Sequence, residues 1–366
     1  MSDHLEDLTV AVRDVFAGRH PVGSSPPAGS DRKLWDDLER LGFTSLTVPE
    51  ELGGAGGTLR DAAVLVREAA SASAAIPLAE ALFLAGPLLA AAQAALPAGM
   101  LTAATGDITA ETGSCGSWRL SGSLSRVPWL RSADFLLTLA DTPQGPAVSL
   151  VSTDEPGLRV SPGENLAGEQ RDSAILDGVE AYEIHWPADV CRQGELSLYG
   201  AAARAAQLAG AARAVLDATS RYVSERVQFG RPLVRFQAVQ QQLAQLAGAV
   251  VTVEVSADAA VLALAEGTRH RELAVASAKA EASALARQIT AIAHQLHGAI
   301  GFTREHRLGA HTTRLWSWRE EYGNELYWQR RSADLVAEAD DLWQLVSGAD
   351  LKVHNRTTQG SRTGVS

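Results

Sequence analysis

The feature that most constrains this chain is a helical seam late in the sequence. Phe236, Val239, Leu243, Leu246, Val250 and Val253 recur at steps of three and four residues. That spacing places apolar side chains on one helix face and suits packing within a bundle. A second stretch without breakers, about Arg271 to Leu296, is rich in Ala and Ser. Small side chains let helices approach closely, so this helix is expected at the centre. From about residue 193 the chain reads as helical throughout.

Before that point the texture changes twice. Residues 1–97 read as a helical domain. Leu34, Trp35, Leu38 and Leu41 are spaced for one helix face, and Gly42 reads as the stop. Thr44 to Pro49 reads as extended, Gly53 to Gly57 as a loop, and Thr58 as the cap of a helix running to about Ala70. Ala81 to Ala95, broken by Gly86 and Pro87, reads as a buried helix pair rather than a membrane span. Residues 98–190 alternate short apolar runs with Gly, Ser, Asp and Pro, which suggests a small antiparallel barrel or sandwich. Residues 191–346 form the helical C-terminal part. The polar remainder, 347–366, lacks periodicity and is expected to be disordered.

With 366 residues the chain can bury a substantial core. Its net charge of −11 argues against nucleic acid or an anionic membrane as partner. Two cysteines, Cys115 and Cys191, fit a reducing compartment. The acidic, polar start carries no signal peptide, so a cytoplasmic location is expected.

Two segments carry chemistry. The first runs Glu225-Arg226-Val227-Gln228-Phe229-Gly230-Arg231-Pro232-Leu233, followed by Phe236-Gln237. A helix is expected to end near Gln228, with Gly230 permitting a tight turn and a new helix starting around Val234. Arg226 then lies in a last turn, where a cation suits the helix dipole. An ordinary helix–turn–helix has the same pattern. The second segment is Gln295-Leu296-His297-Gly298-Ala299-Ile300-Gly301-Phe302-Thr303. Glycines at that spacing expose backbone N–H groups that can cradle an anion, and they also serve as plain helix caps. His294 and His297 lack a nearby carboxylate or Cys to complete a metal site, so no metal is expected.

Together the two segments resemble the C-terminal signature of the acyl-CoA dehydrogenase family. Leu41-Gly42-Phe43 and Val48-Pro49-Glu50-Glu51-Leu52-Gly53-Gly54 resemble its N-terminal stretch. The resemblance implies an α+β multidomain fold: an N-terminal helical domain, a central β-barrel domain and a C-terminal four-helix bundle. It also implies FAD, held between the β-domain and the bundle, with the ADP portion gripped by a neighbouring subunit. Arg226 matches the pyrophosphate contact, and a guanidinium fork suits a diphosphate. Phe229 matches an aromatic on the adenine side, and Gln237 a matching glutamine. Gln295, Gly298 and Ala299 match the neighbour's contact loop, with Ala299 standing where the family usually has glycine. The family's Thr-Glu-Pro-x-x-Gly-Ser-Asp stretch at the isoalloxazine ring is missing here. Trp129 is the residue left to stack on that ring, or to pack in the core.

The implied reaction removes a proton α to a thioester while hydride passes to the flavin, and needs a carboxylate base. The family's common base position falls at Tyr322, a poor base near neutral pH. Glu321 and Glu320 are the candidate bases if catalysis stays within this chain, although each residue turns about 100° around a helix, so a neighbour of Tyr322 would not point at the same atom, and a solvated acidic helix start has the same pattern. The family's alternative base position falls near Gly200, beside Tyr199 and Ala201. The segment from Leu315 to Trp328 resembles an actinobacterial branch in which some enzymes pair two unlike subunits, one lacking the base. The resemblance therefore implies α,β-desaturation of an acyl-CoA thioester by a homo- or hetero-oligomer with a related chain, with an electron-transfer flavoprotein or similar acceptor. The alternative is a flavin-free partner that stabilises a related dehydrogenase chain.

Overall fold

The computed structural model describes residues 3–17, 29–113, 116–187, 193–303 and 306–339. Cys115, Cys191 and the 347–366 tail lie outside them. The fold is α+β: helices at both ends and a mixed sheet between.

The N-terminal part contains α1 (Asp3–Phe16), α2 (Arg32–Arg40) and α3 (Leu59–Ser71). Asp31 caps α2 by accepting from the Leu34 N–H, and Leu34, Trp35 and Leu38 are buried, while Leu41 is exposed. Thr58 and Asp61 form a reciprocal capping box at the start of α3. Two expectations change here. The stretch after Gly42 is not extended but folds into short 3-10 turns, Phe43–Ser45 and Glu50–Leu52. Ala81 to Ala95 is not a helix pair. A single apolar helix, Leu78–Ala92, runs through it as α4 (Leu78–Glu80), a π-helical turn (Ala81–Ala85) and α5 (Gly86–Ala92). The π turn absorbs the proline, because Gly86 N–H reaches back to Ala81 O and Pro87 needs no donor. Gly86 also has to be small: a Cβ there would lie 2.0 Å from Thr47 Oγ1.

The central strands are β1 (Leu101–Ala103), β2 (Asp107–Thr112), β3 (Trp118–Pro128), β4 (Phe135–Thr142), β5 (Gly145–Ser152), β6 (Leu158–Ser161), β7 (Arg171–Glu180) and β8 (Glu183–His185). Their order is β6-β7-β3-β2-β4-β5-β8, with β1 beside β4. The expectation of a purely antiparallel sheet is corrected, since β1 and β2 both run parallel to β4. Among the described residues β6 and β8 are not paired, so hydrogen bonds do not close the sheet into a ring.

The C-terminal helices are α6 (Gln193–Glu225), α7 (Gln237–Ala265), α8 (Arg271–His297), α9 (Leu308–Trp318) and α10 (Glu325–Ala337). α6, α7 and α8 pack on one another, α9 joins α6 and α8, and α10 lies on α8, which makes α8 central as its small residues require. Leu246, Val250 and Val253 of the seam are buried, while Phe236 is the residue before α7 rather than part of it. α7 is long and apolar enough to cross a membrane, but here it packs on α6 and α8 with one side exposed. Between α6 and α7 the helix ends at Glu225, earlier than expected, and a two-residue hairpin pairs β9 (Val227–Gln228) with β10 (Arg231–Pro232). Phe229 and Gly230 form its tip, both at positive φ.

Candidate functional site

Two regions of the molecule gather the residues expected to carry chemistry. One is the junction of the N-terminal helices, the sheet and α6. The other is the edge of the bundle formed by the hairpin and the end of α8.

At the junction, Tyr322 and Gly200 meet. A Cβ built on Gly200 would lie 2.2 Å from a Tyr322 ring carbon, so the glycine exists to admit the ring. The two positions at which a carboxylate base was sought are therefore one place in space, filled by a phenol. Tyr322 holds a left-handed backbone, φ 52°, and the Arg204 guanidinium sits 5.1 Å from its ring centroid. Burial lifts its hydroxyl above the ordinary tyrosine range, further from use as a base.

Glu321 points elsewhere, into a buried lattice of charges. Arg171 grips it with two N–H donors at 2.8 and 3.1 Å, Arg204 Nε donates at 2.7 Å, and Asn165 Nδ2 at 3.2 Å. Arg204 also donates to Glu80 at 2.6 Å, and Arg171 to Glu169 at 3.1 Å. Glu169 accepts in turn from Arg314 and the Trp318 indole at 2.9 and 2.8 Å. All these ionised side chains are buried. Burial alone would raise the Glu321 pKa, but Arg171 and Arg204 reverse this and hold it at about 2. A carboxylate so strongly stabilised as an anion, with both oxygens occupied, has little drive to take a proton from carbon. Glu320 is exposed and pairs with its neighbour Arg319 at 3.2 Å.

Lys279 completes the junction. It is fully buried on α8 and donates to Ser283 Oγ, Arg319 O and Gly323 O at 3.1, 2.9 and 2.8 Å. Burial, then Arg204, lowers its pKa to about 7. Its hydrogen bonds fasten the turn that carries Glu321 and Tyr322. Trp129 is also part of this region: it is buried at φ 59°, with Arg171 6.0 Å from its ring centroid.

The bundle edge is the opposite in character. Arg226 is exposed, and its side chain has no partner among the described residues. Phe229 is 90% exposed, Phe302 73%. Gln237, Gln295, Gly298 and Ala299 are exposed as well. Gly298 takes φ 66°, which ends α8 and starts the 3-10 turn Gly298–Phe302. Behind this surface His297 stacks on Tyr222 at 4.5 Å and His294 on Phe302 at 4.4 Å. Both imidazoles are shifted by burial toward the neutral form. Among the described residues no cluster of three or more His, Cys, Asp or Glu is arranged for a metal.

The structure thus brings Tyr322, Gly200, Glu321 and Trp129 to the junction. It places Arg226, Phe229, Gln237, Gln295, Gly298 and Ala299 on the bundle's surface. Sequence reasoning missed Glu80, Glu169, Arg171, Arg204, Lys279 and Arg314. A signal existed for two of them: Glu80 stands alone in an apolar run, and Arg204 interrupts an alanine-rich helix. Charges in such surroundings are buried only when paired.

The chain matches two family descriptions: "Acyl-CoA dehydrogenase, N-terminal domain" over residues 20–104 and "Acyl-CoA dehydrogenase, C-terminal domain" over residues 198–323. It is 30% identical over 282 residues to acyl-CoA dehydrogenase IpdE2 of Mycobacterium tuberculosis, covering 76% of this chain and 78% of that protein. Acyl-CoA dehydrogenase FadE28 of the same organism is 33% identical over 250 residues, covering 63% and 71%. Among solved structures, the ChsE4-ChsE5 complex from Mycobacterium tuberculosis superposes with a TM-score of 0.81 at 24% identity, over 93% of this chain and 99% of that one. A variant of the Tcur3481-Tcur3483 steroid ACAD gives 0.78 at 28% identity, over 92% and 98%.

Proposed function

Because the chain belongs to the acyl-CoA dehydrogenase family, whose members are oxidoreductases acting on acyl-CoA, we propose that it works as the base-lacking subunit of an FAD-dependent enzyme that desaturates an acyl-CoA thioester. The observation that carries this reading is the packing of Tyr322 against Gly200. Both positions expected to bear the base converge there, and the space holds no carboxylate.

The two ends of FAD fare differently against these residues. The nucleotide end fits. Arg226 is an exposed guanidinium without a partner among the described residues, Gly298 and Ala299 are exposed beside it at the end of α8, and Phe229 offers an open ring face. A diphosphate is bound well by such a fork. At the ring end, Arg171 and Glu321 are spent on each other and Trp129 is buried, so none of the three offers a free group to the ring. When bound, FAD supplies the hydride acceptor. This chain's own part is to hold the nucleotide from outside, while the partner provides the carboxylate and the cavity for the acyl chain. A related family chain is the partner, and an electron-transfer flavoprotein or similar carrier takes the electrons. The satisfied side chains at the ring end give the alternative its support: a chain that binds no flavin and only stabilises its partner.

The test is to purify the chain alone, and co-expressed with a base-bearing family chain from the same genome, then record flavin absorbance and acyl-CoA oxidation. Flavin and activity should appear only in the co-expressed complex. A yellow, active protein from this chain alone would overturn the proposal. Equal flavin affinity in complexes with native and Arg226→Ala chains would favour the flavin-free role.

A further inference from the structure

The ends of α1 and α3, the C-terminal half of α6 and the start of α9 enclose a cavity of about 390 Å³. That volume lies in the usual range of small-molecule sites. None of the residues assigned above to the base or to the nucleotide lines it. Its wall carries a buried imidazole with an unused nitrogen. His311 is 8% exposed, and its Nδ1 lies 3.1 Å from Ser73 Oγ. Its Nε2 has no hydrogen-bond partner among the described residues. Burial first, then Arg314 and Arg307, lowers its pKa to about 3, so the ring is neutral near pH 7. A neutral imidazole carries a single N–H. When the serine hydroxyl donates to Nδ1, the ring hydrogen sits on Nε2, a donor available to another group.

The backbone beneath Ser73 bears on the same point. Ser73 sits just past the end of α3 at φ 57°. Its N–H bonds Ala70 O and the Ala74 N–H bonds Ala69 O, which closes the last carbonyls of the helix. Glycine is the usual residue in that left-handed position. Serine there supplies what glycine could not, a hydroxyl that orients His311.

Charge selects the ligand. Arg13, Arg221 and Arg307 line the cavity together with Glu68 and Asp217. Arg13 is spent on Glu68, with bonds of 2.9 and 3.0 Å. Arg221 is exposed and has no partner among the described residues. Arg307 stands four residues before His311, one helical turn away at the start of α9. With the imidazole neutral, three guanidiniums against two carboxylates leave one net positive charge. A single anionic group balances that charge, and a dianion would exceed it. Phe16, Ala72, Ala214 and Ala218 give the cavity an apolar wall beside these charges. We propose that this cavity binds a small carboxylate carried on a short apolar body. Arg221 and Arg307 attract the carboxylate, the His311 Nε2–H donates to it, and the apolar part lies against Phe16 and the alanines. The site is separate from the nucleotide-holding edge and does not depend on whether this chain binds flavin.

The experiment is calorimetric titration of the full chain with hexanoate near neutral pH, with hexanol and hexyl phosphate as comparisons. Circular dichroism confirms the folding of each variant. Hexanoate should bind, hexanol should not, and hexyl phosphate should bind more weakly than hexanoate. Arg221→Gln, at an exposed position, should weaken hexanoate binding by about tenfold or more. Ser73→Gly suits the left-handed backbone and so keeps the fold, yet it should also weaken binding, because His311 loses its orienting hydroxyl. Absence of hexanoate binding, equal binding of hexanol, tighter binding of hexyl phosphate than of hexanoate, or an affinity indifferent to both substitutions would each overturn the proposal.

Discussion

The junction around Glu321 and the edge around Arg226 are built from similar residues in opposite circumstances. Both are rich in arginine. At the junction every guanidinium is buried and answered by a carboxylate: Arg171 and Arg204 on Glu321, Arg204 on Glu80, Arg314 on Glu169. At the edge Arg226 is exposed and unanswered among the described residues, beside aromatic rings that face outward. A satisfied buried ion lattice holds domains in place and leaves no valence for a ligand. An exposed, unanswered cation contributes little to the fold and is available to an anion from outside. The difference separates what this chain does for itself from what it offers an assembly.

Substitutions on the two sides should differ most in stability. Arg204→Met removes one partner from both Glu80 and Glu321 and should cost about 3–5 kcal/mol. Arg226→Met should change stability by less than about 0.5 kcal/mol. Chemical denaturation of both variants reads this directly, and equal losses would dissolve the contrast.

Acid should find the junction next. The Glu321 pKa lies near 2 in the fold against an ordinary 4.5, so the folded state binds fewer protons than the unfolded chain between those values. Its stabilisation is complete above about pH 4.5 and is lost as pH falls through 4.5 toward 2, on the order of 3 kcal/mol in all. Glu321→Gln should be less stable at neutral pH and should show a flatter acid limb in denaturation curves measured across that window. Lys279 works in the same direction at higher pH. Its folded pKa, near 7, lies below the unfolded value, so stability falls as pH drops from about 10.5 to 7.

The edge should respond in binding rather than stability. Arg226→Ala should weaken nucleotide retention in the co-assembled enzyme by roughly 10–100-fold, the usual effect of losing charge-assisted hydrogen bonds. Calorimetric titration of the flavin-stripped complex with FAD measures it. The smallest effect is the most diagnostic of an outward-facing tip. Phe229 holds φ 52° while 90% exposed. Phe229→Gly should therefore stabilise the free chain by up to about 1 kcal/mol, through relief of the left-handed backbone. The same change should weaken nucleotide binding where the ring packs on it.

Much of this molecule could be read from its residues because the relevant physics is local. The Thr58 cap and the stop at Gly42 depend on residues a few positions apart. So do the small-residue character of α8 and the buried half of the α7 seam. The expected helix pair around Pro87 failed because a π turn can carry a helix across a proline, a choice made by packing against Thr47 rather than by the dipeptide. The expected all-antiparallel sheet failed because parallel pairing of β1 and β2 with β4 depends on how distant segments meet.

The sequence by itself determined the α+β order of the chain, its helix caps, and the absence of a carboxylate at Tyr322 and at Gly200. It could not determine that those two positions are one place. Nor could it show that Glu321, beside the expected base position, is spent on Arg171 and Arg204. Glu80, Arg171, Arg204 and Glu321 lie far apart along the chain, and no local periodicity links them. Charges of this kind declare their partners only after the helices and the sheet pack together and water is excluded, when each must be paired or pay its full desolvation.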